Sequence, residues 1–316
     1  MATAPALPRL QIALRKSPLS LAHAQYIRDR LLALYPSCEI VLRGITTKGD
    51  LIVDRSLADI GGKGLFIEAI EDTMTQGAAQ LAVHSLKDMP MDVSEGFTIA
   101  AVPVREDPRD TLVSDRYQSI ESMPAGSIVG TSSLRREAQV RRRNPGVTVN
   151  VLRGNVATRM ARMQEGRYDA IVLAAAGIHR LELNHRIAAY LEPDEFVPAV
   201  GQGALALECR SDRPDVIEMV APLIHQPTLH AVTAERAFSR KLAGSCKTPI
   251  AGHATFRGNE LRLVGLIASR DGQDMLRGEL TAQIDPADLD TRAADALGRA
   301  LGDDFIARGA ARFQNV

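Results

Sequence analysis

Apolar and polar positions follow two different periods along the start of the chain. Residues 9–15 alternate at every second position, which predicts a short strand. Ser17 and Pro18 then provide an N-cap and a first-turn proline for a helix that is predicted to reach about Leu34. The other elements predicted in this stretch are strands at 39–45, 81–84 and 98–102 and a helix at about 65–76.

The alternation starts again after the polar segment 105–110. This second stretch is predicted to contain strands at 127–130, 147–152 and 169–173 and helices at 133–142 and 156–164. In βαβ repeats of this kind, ligands usually sit at the carboxyl ends of the strands. A further strand at 205–209 follows the Gly-rich segment 198–204, and it is placed to cross back to the first stretch.

A third stretch begins at about Pro222. Its predicted elements are a helix at 228–242, strands at 252–256, 261–269 and 275–283 with a hairpin turn at 257–260, and a closing helix at 286–301. Strands and helices that alternate over most of the chain indicate an α/β fold. The predicted domains are residues 1–103 with 204–221, residues 109–197, and residues 222–316.

Composition narrows the function more by exclusion than by direct indication. The 38 basic and 38 acidic residues balance, so net charge gives no support for general polyanion binding. Three cysteines at irregular spacings form neither a disulfide framework nor a zinc pattern, the histidines show no metal spacing, and sparse cysteines suit a reducing compartment. Residues 1–8 lack a secretory signal, and no apolar run approaches the roughly 18 residues that span a bilayer. We therefore expect a cytoplasmic protein without a metal or membrane partner.

Local charge departs from this balance in the second stretch. Residues 131–180 hold ten arginines, no lysine and three acids, a balance of +7. Arginine grips a carboxylate or phosphate with two parallel hydrogen bonds. Two predicted strand-to-helix turns carry such side chains, and the anion-ligand candidates there are Thr131, Ser133, Arg135 and Arg136 in one turn and Arg153 and Arg159 in the next. Aromatic residues for base stacking are scarce, so a small polycarboxylate or phosphate is favoured over nucleic acid.

The run Arg141–Arg143, by contrast, fits a solvated basic face. Arg15 and Ser17, at the first strand-to-helix turn, are further candidate anion ligands.

Asp88 is the candidate for charge stabilisation. It follows Lys87 at a predicted strand end, and a carboxylate beside a fixed cation stays ionised, as stabilising a cationic intermediate requires. A turn or helix-cap role is the alternative. A Ser/His/Asp triad of His84, Ser85 and Asp88 is not expected, because neighbours on one strand point to opposite faces.

Cys246 is the candidate reactive thiol. Small residues precede it and Pro249 follows, a pattern that favours an exposed loop and a thiol presented for chemistry. A free surface cysteine without a role fits the same pattern equally well.

Nine motifs together closely resemble one family, the porphobilinogen deaminases or hydroxymethylbilane synthases. In order, they are Arg15-Lys-Ser-Pro-Leu19, Thr47-Lys-Gly-Asp50, Gly61-Gly-Lys-Gly-Leu-Phe66, Val83-His-Ser-Leu-Lys-Asp-Met-Pro90, Arg105-Glu-Asp-Pro-Arg-Asp110, Gly130-Thr-Ser-Ser-Leu-Arg-Arg136, Arg153-Gly-Asn-Val-Ala-Thr-Arg159, Pro198-Ala-Val-Gly-Gln-Gly203 and Gly244-Ser-Cys246. The resemblance implies three α/β domains, the first two built like type II periplasmic binding proteins and the third small, with a helix-covered sheet.

The resemblance also implies an activity. Such an enzyme is a transferase of porphyrin and heme biosynthesis that condenses four porphobilinogen molecules head to tail, with loss of ammonia, to hydroxymethylbilane. Each unit passes through a cationic azafulvene-like species, which the catalytic aspartate, matched by Asp88, stabilises. A dipyrromethane cofactor, attached by a thioether to the cysteine that Cys246 matches, primes the reaction. A monomer is the oligomeric state that the family implies.

The resemblance assigns two sets of binding residues. The implied cofactor ligands besides Cys246 are Asp50, on the pyrrole nitrogens, and Lys87, Thr131, Ser133, Arg135 and Arg136. The implied substrate ligands are Arg15, Ser17, Arg153, Arg159 and Arg180, with Lys63 and Phe66 in a loop over the cleft. Asp59 departs from the family pattern, where a basic residue is common, and receives no ligand role. The alternative function is a non-catalytic two-lobed binding protein for a small polycarboxylate.

Overall fold

The computed structural model describes residues 7–47, 49, 67–242 and 248–313. The chain divides into two compact units, one spanning Met1–Arg105 and Ala204–Leu229 and the other Glu106–Gly203 and His230–Val316. The described residues form three sheets with helices packed on them, which confirms the predicted α/β class. The division into three domains stays a prediction, because the second unit holds two of the three sheets.

The elements have these bounds in chain order. The strands are β1 Arg9–Arg15, β2 Glu39–Ile45, β3 Leu81–Ser85, β4 Phe97–Ala101, β5 Asp110–Val113, β6 Ile128–Gly130, β7 Thr148–Asn150, β8 Ala170–Ala174, β9 Ala189–Leu191, β10 Leu205–Arg210, β11 Ile250–Arg257, β12 Glu260–Ala268 and β13 Met275–Gln283. The helices are α1 Pro18–Leu34, α2 Glu68–Thr75, α3 Leu134–Arg143, α4 Val156–Gln164, α5 Ala175–Arg180, α6 Pro214–Val220, α7 Gln226–Lys241 and α8 Arg292–Ala307.

The first unit is built on a five-stranded sheet in the order β2-β1-β3-β10-β4. Strand β1 pairs in parallel with β2 and β3, whereas β10 runs antiparallel to β3 and β4. The expectation that the strand near residue 205 returns to the first stretch is thereby confirmed. Ser17 begins α1 as predicted, since its side chain accepts a hydrogen bond from the backbone N–H of Ser20 at 3.2 Å.

The two faces of this sheet bury different side chains. Leu10 and Ile12 of β1 and Leu207 of β10 pack against α1 and α6 in one apolar core. On the other face, Ala13 and Ala82 pack beneath Ile70 and Met74 of α2. Because strand side chains alternate between faces, His84 and Glu208 share the α2 face with Ala82. A polar pair therefore lies under α2.

In the second unit, one sheet has the order β7-β6-β8-β5-β9. Strand β6 is parallel to β7 and β8, and β5 is antiparallel to β8 and β9. Val140 of α3 packs on the face that carries Leu112, Val129 and Val172. The opposite face packs on α4 and α5 through Met160, Met163 and Ile178.

The third sheet, β11-β12-β13, is antiparallel throughout. Helices α7 and α8 cover one face, where Phe238 and Phe305 meet edge to face with ring centroids 5.0 Å apart. The helices approach so closely that a Cβ at Gly298 would lie 2.2 Å from the carbonyl oxygen of Ala234. On the other face, Val264 and Leu266 pack against Ala138 of α3.

Several predicted boundaries were wrong. The closing helix begins at Arg292 and not near residue 286, because side chains of the preceding aspartates accept backbone hydrogen bonds and form turns. Strands β5 and β9 were not predicted, since three or four residues are too few to show a period. Helix α6, with seven residues, was not predicted either. The strand predicted at 147–152 is only Thr148–Asn150, and the helix predicted from residue 65 is described from Glu68.

None of the helices among the described residues is both long and apolar enough to cross a membrane.

Candidate functional site

A pocket lies at the carboxyl ends of the neighbouring parallel strands β1 and β3 in the first unit. It is lined by Arg15, Ser20, Ile67, Val83, His84, Ser85 and Asp88. Two of the predicted site residues, Arg15 and Asp88, thus share one pocket although 73 positions separate them in the sequence. Strand ends that meet at one sheet edge are the usual place for a ligand in an α/β fold.

Asp88 is presented by a 3₁₀ turn, Leu86–Asp88, directly after β3. The turn is anchored because Leu86 is buried and its N–H donates to the carbonyl of Ala204 at 3.0 Å. Asp88 itself is exposed, and its neighbour Lys87 is half-buried. The carboxylate therefore faces solvent from a fixed support, an arrangement that suits contact with a ligand.

Ser17 has a structural task at this site. Its oxygen caps α1, and its hydroxyl donates to the Ser20 hydroxyl at 3.0 Å. The pocket lining includes Ser20 and not Ser17. Ser20 was not predicted, although its place in the first turn of the helix that follows the candidate anion ligand Arg15 gave a usable signal.

Sequence reasoning also missed His84. Its Nε2 lies 2.9 Å from Oε2 of Glu208, and the two side chains are 6% and 0% exposed. His84 is bonded to Glu208 and not to Asp88, which agrees with the expectation that no Ser/His/Asp triad forms here. His84, Ser85 and Asp88 nevertheless all line the pocket. Glu208 lies on β10, which is far from His84 in the sequence, so no local motif could predict that the two residues pair.

In the second unit, the two predicted arginine-bearing turns lie side by side. Strands β6 and β7 are parallel neighbours, and the N–H of Leu152 donates to the carbonyl of Thr131 at 3.2 Å. Ser133 caps α3 and Asn155 caps α4, each accepting a backbone hydrogen bond three residues on. Two helix N-termini therefore point to the same sheet edge, where anions are favoured.

Arg135 and Arg136 point into the protein rather than to this edge. Both lie on Asp110, with N–O distances of 2.7 Å each, and the carboxylate is fully buried. Arg135 also donates to the carbonyl of Val197 and Arg136 to that of Val172. Burial lowers the pKa of Arg135, against the attraction of Asp110. These guanidinium groups stabilise the core of the second unit. Only the N–H groups that are not used in these bonds could bind a ligand.

Arg153 is placed differently. Its side chain is half-buried, and its Nη1 is buried without a hydrogen-bond partner among the described residues. A buried guanidinium N–H without a partner is costly unless a ligand supplies one. Arg153 therefore keeps a donor that a bound anion would satisfy.

Arg159 and Arg180 are each held by their surroundings. Arg159 Nε donates to the carbonyl of Gly154 at 2.8 Å, so the side chain folds back over the turn. Arg180 ends α5 near Glu106. Burial raises the pKa of Glu106, but hydrogen bonds from Asp107 N–H and His179 and the charge of Arg180 outweigh burial and lower it.

Four predicted site residues, namely Asp50, Lys63, Phe66 and Cys246, lie outside the described residues. The part of the chain that is described contains no group of three or more His, Cys, Asp or Glu side chains that could hold a metal ion.

The sequence matches two family models. One, described as porphobilinogen deaminase, dipyromethane cofactor binding domain, covers residues 10–218, and the other, described as porphobilinogen deaminase, C-terminal domain, covers residues 229–307. Among curated proteins, the porphobilinogen deaminase of Laribacter hongkongensis is 49% identical over 304 residues, which cover 96% of each chain. That of Nitrosomonas europaea is 49% identical over 302 residues, again 96% of each chain.

Solved structures are more distant. The periplasmic aliphatic sulphonate binding protein SsuA from Escherichia coli is 12% identical, covers 75% of this chain and 71% of its own, and gives a TM-score of 0.40, too low to carry an argument. The sequence matches suffice, because the family models cover most of the chain and relatives near 49% identity span almost all of it. The chain belongs to the porphobilinogen deaminase family.

Proposed function

We propose a division of work between the two units for the activity of this family. The chain is a hydroxymethylbilane synthase, a transferase of porphyrin and heme biosynthesis that condenses four porphobilinogen molecules head to tail with loss of ammonia. In our proposal, the first unit stabilises positive charge through Asp88, and the second unit binds carboxylates through its arginine-bearing turns.

The residues present fit the dipyrromethane cofactor of this family. Each of its pyrrole rings carries an acetate and a propionate, and Thr131 and Ser133 offer hydroxyl groups beside two helix N-termini, where such carboxylates are favoured. Thr131, Ser133 and Lys87 would hold the cofactor together with Asp50 on the pyrrole nitrogens and Cys246 as the point of attachment. When bound, the cofactor supplies the primer for chain growth.

Asp88 stabilises charge in this proposal. An anchored turn holds its exposed carboxylate in the pocket, with Arg15 in the same wall and Lys87 adjacent in sequence. The carboxylate accepts a hydrogen bond from the substrate pyrrole N–H and opposes the positive charge that develops as ammonia leaves. A preorganised carboxylate does this without reorganisation cost at the moment of reaction.

The arginines bind and orient the substrate side chains. Arg153 uses its partnerless N–H group, and Arg159 and Arg180 assist with Arg15. Arg135 and Arg136 serve the cofactor instead, with only those N–H groups that are not bonded to Asp110 and the backbone carbonyls. Lys63 and Phe66 belong to the covering loop in this proposal.

The observation that carries the proposal is the shared pocket of Asp88 and Arg15 at the strand ends. Asp88→Asn keeps the shape of the side chain and removes its charge, so turnover of porphobilinogen should fall by about 100-fold or more. Asp92→Asn, which neutralises an exposed acid four residues away, should keep wild-type turnover. Equal turnover of Asp88→Asn and wild type would remove Asp88 from the mechanism.

Intact mass tests the attachment site. Wild-type protein should carry the mass of two condensed pyrrole units on the peptide that contains Cys246, and Cys246→Ser should lack it. A normal adduct in Cys246→Ser would place the cofactor on another residue.

The proposal extends to a monomeric, cytoplasmic enzyme. Sedimentation of the purified protein at several concentrations tests the oligomeric state, and cell fractionation tests the compartment. No described contact favours the non-catalytic binding protein over the enzyme.

A further inference from the structure

His84 is a titratable side chain in the wall of the pocket that holds Asp88. It sits on β3, four residues before Asp88, and only 7% of the residue is exposed. Its Nε2 contacts Oε2 of the fully buried Glu208 at 2.9 Å. A carboxylate that accepts from Nε2–H fixes the tautomer and leaves the lone pair on Nδ1, the other nitrogen of the ring in the pocket wall.

The carboxylates around His84 are under-satisfied. Oε1 of Glu208 and Oε1 of Glu71, on helix α2 above the same sheet face, are both buried without a hydrogen-bond partner in the described part of the chain. Burial raises the pKa of Glu71, against a hydrogen bond from Ser94, and the charge of Glu208 raises it further. A purely structural tie would satisfy its acceptors. This cluster instead keeps acceptor atoms that no donor among the described residues satisfies.

Charged groups near His84 come from several elements. They are Glu208 on β10, Glu71 on α2, Arg15 at the end of β1, and Lys87 and Asp88 in the turn after β3. Glu208 is fully buried, whereas His84 also lines the pocket.

The reaction leaves one proton in this pocket at every addition. Each condensation forms one C–C bond and breaks the C–N bond of a protonated aminomethyl group, whose nitrogen leaves as neutral ammonia. One α C–H bond of the attacked pyrrole then breaks, and its electron pair returns to the ring. Atoms and charge balance only if a base takes up the proton from that carbon.

We propose that His84, oriented by Glu208, is the base that accepts this proton in each round. The inference rests on the proposed function. Asp88 stabilises positive charge while the pyrrole N–H groups remain bound, so a separate acceptor lets the carboxylate stay ionised throughout. His84 then passes the proton to solvent through the pocket, and Glu208 stabilises the imidazolium in the interval.

Porphobilinogen deuterated at its free α-carbon tests the proton transfer directly. In wild type, we expect a kinetic isotope effect close to one, since C–H cleavage is fast. His84→Gln should lower kcat by about 100-fold and raise the isotope effect to about 2 or more, because deprotonation becomes limiting. A proportionate loss of kcat with an unchanged isotope effect would overturn the proposal and leave His84 as a structural residue.

Tautomer and pH measurements provide a readout that does not depend on turnover. ¹⁵N NMR of the histidines in the holoenzyme, with His84→Gln to assign the signal, should show His84 protonated at Nε2. Glu208→Gln should weaken this preference and shift the acid limb of the kcat profile. Protonation of neutral His84 at Nδ1 alone would overturn the proposal even if His84→Gln folds poorly.

Failure of the proposed function is a different result. If wild-type holoenzyme did not turn porphobilinogen over, the enzyme assignment itself would fail. If wild type turned over and His84→Gln matched its rate and its isotope effect, only the role of His84 would fail.

Discussion

The two five-stranded sheets share one topology, and each contains a buried carboxylate, but the two carboxylates have different partners. In each, three parallel strands have the order second-first-third, and an antiparallel strand comes next, β10 in one sheet and β5 in the other. Each of these antiparallel strands carries one fully buried carboxylate, Glu208 on β10 and Asp110 on β5. The sequence shows no repeat that announces this equivalence.

The two carboxylates face opposite sides of equivalent sheets. Asp110 lies under α3, the helix after the first parallel strand of its sheet, and accepts hydrogen bonds from Arg135, Arg136 and Gln202. Glu208 lies on the α2 side, the side of the helix after the second strand, where His84 is its partner and one of its oxygens has none among the described residues. The Asp110 cluster is thus filled with guanidinium and amide donors, whereas the Glu208 cluster joins one imidazole to one carboxylate.

This difference in partners suits the Asp110 cluster to a structural role and the Glu208 cluster to proton transfer. Guanidinium groups stay charged at any accessible pH, so the Asp110 cluster holds its geometry and exchanges no protons. An imidazole is a side chain suited to accepting and releasing a proton, which is the task that our proposal gives to His84 beside the pocket. The same fold position therefore stabilises one lobe and, in our proposal, equips the other for catalysis.

The largest expected effect is on the Asp110 cluster. Asp110→Ala leaves Arg135 and Arg136 buried without a counter-charge and should lower the free energy of unfolding by about 3–5 kcal/mol. Chemical denaturation of the intact protein measures this loss of stability. Asp115→Ala, two residues after β5, removes only an exposed pair with Arg186 and should cost under about 1 kcal/mol. Similar losses for both variants would end the distinction between the clusters.

Glu208→Gln should cost less. The amide still offers an oxygen to His84, which need not be charged, so we expect a loss of about 1–2 kcal/mol in the first unit. Denaturation under the same conditions as for Asp110→Ala gives the comparison. A loss as large as that of Asp110→Ala would mean that His84 is a permanent cation and that its pair with Glu208 is a structural ion pair.

Glu71→Gln should produce the smallest change in stability, and it should stabilise the protein rather than destabilise it. The pKa of Glu71 is raised in the folded state, chiefly by burial, so its contribution to stability is complete below its ordinary pKa and is lost as pH rises through the raised value. Glutamine mimics the protonated form, and the variant should therefore be more stable than wild type at pH 8, by up to about 1 kcal/mol, and equal at pH 4. Thermal unfolding at both pH values tests this.

Glu121→Gln is the matched control for that sign. Burial raises the pKa of Glu121, but a backbone hydrogen bond and Arg143 outweigh it and lower the pKa. Stability from Glu121 is thus present above its ordinary pKa and is lost as pH falls through the lowered value. Its neutralisation should destabilise the protein at pH 8, and a gain there in both variants would show that the general charge balance and not burial decides the result.

The sequence by itself determined the local elements and the family motifs. Strand β1 and helix α1 were predicted with their observed bounds, because alternation, the Ser17 cap and Pro18 act within a few residues. The motifs likewise marked Asp88 and Arg153 as site residues, and both assignments stay predictions. Asp88 lines a pocket, and Nη1 of Arg153 is buried without a hydrogen-bond partner among the described residues. Short strands such as β5 could not be predicted, since packing on neighbours and not periodicity makes them strands.

Only the tertiary structure decided which charged groups meet. Arg135 and Arg136 look like ligands in the motif, yet Asp110, 25 and 26 positions away, holds both of them in the core. In the sequence, His84 has no evident role beside Asp88. In the fold, strand β10 places Glu208, 124 positions away, in contact with it. Buried charges must be paired, and strand pairing, which brings distant segments together, chooses the partner.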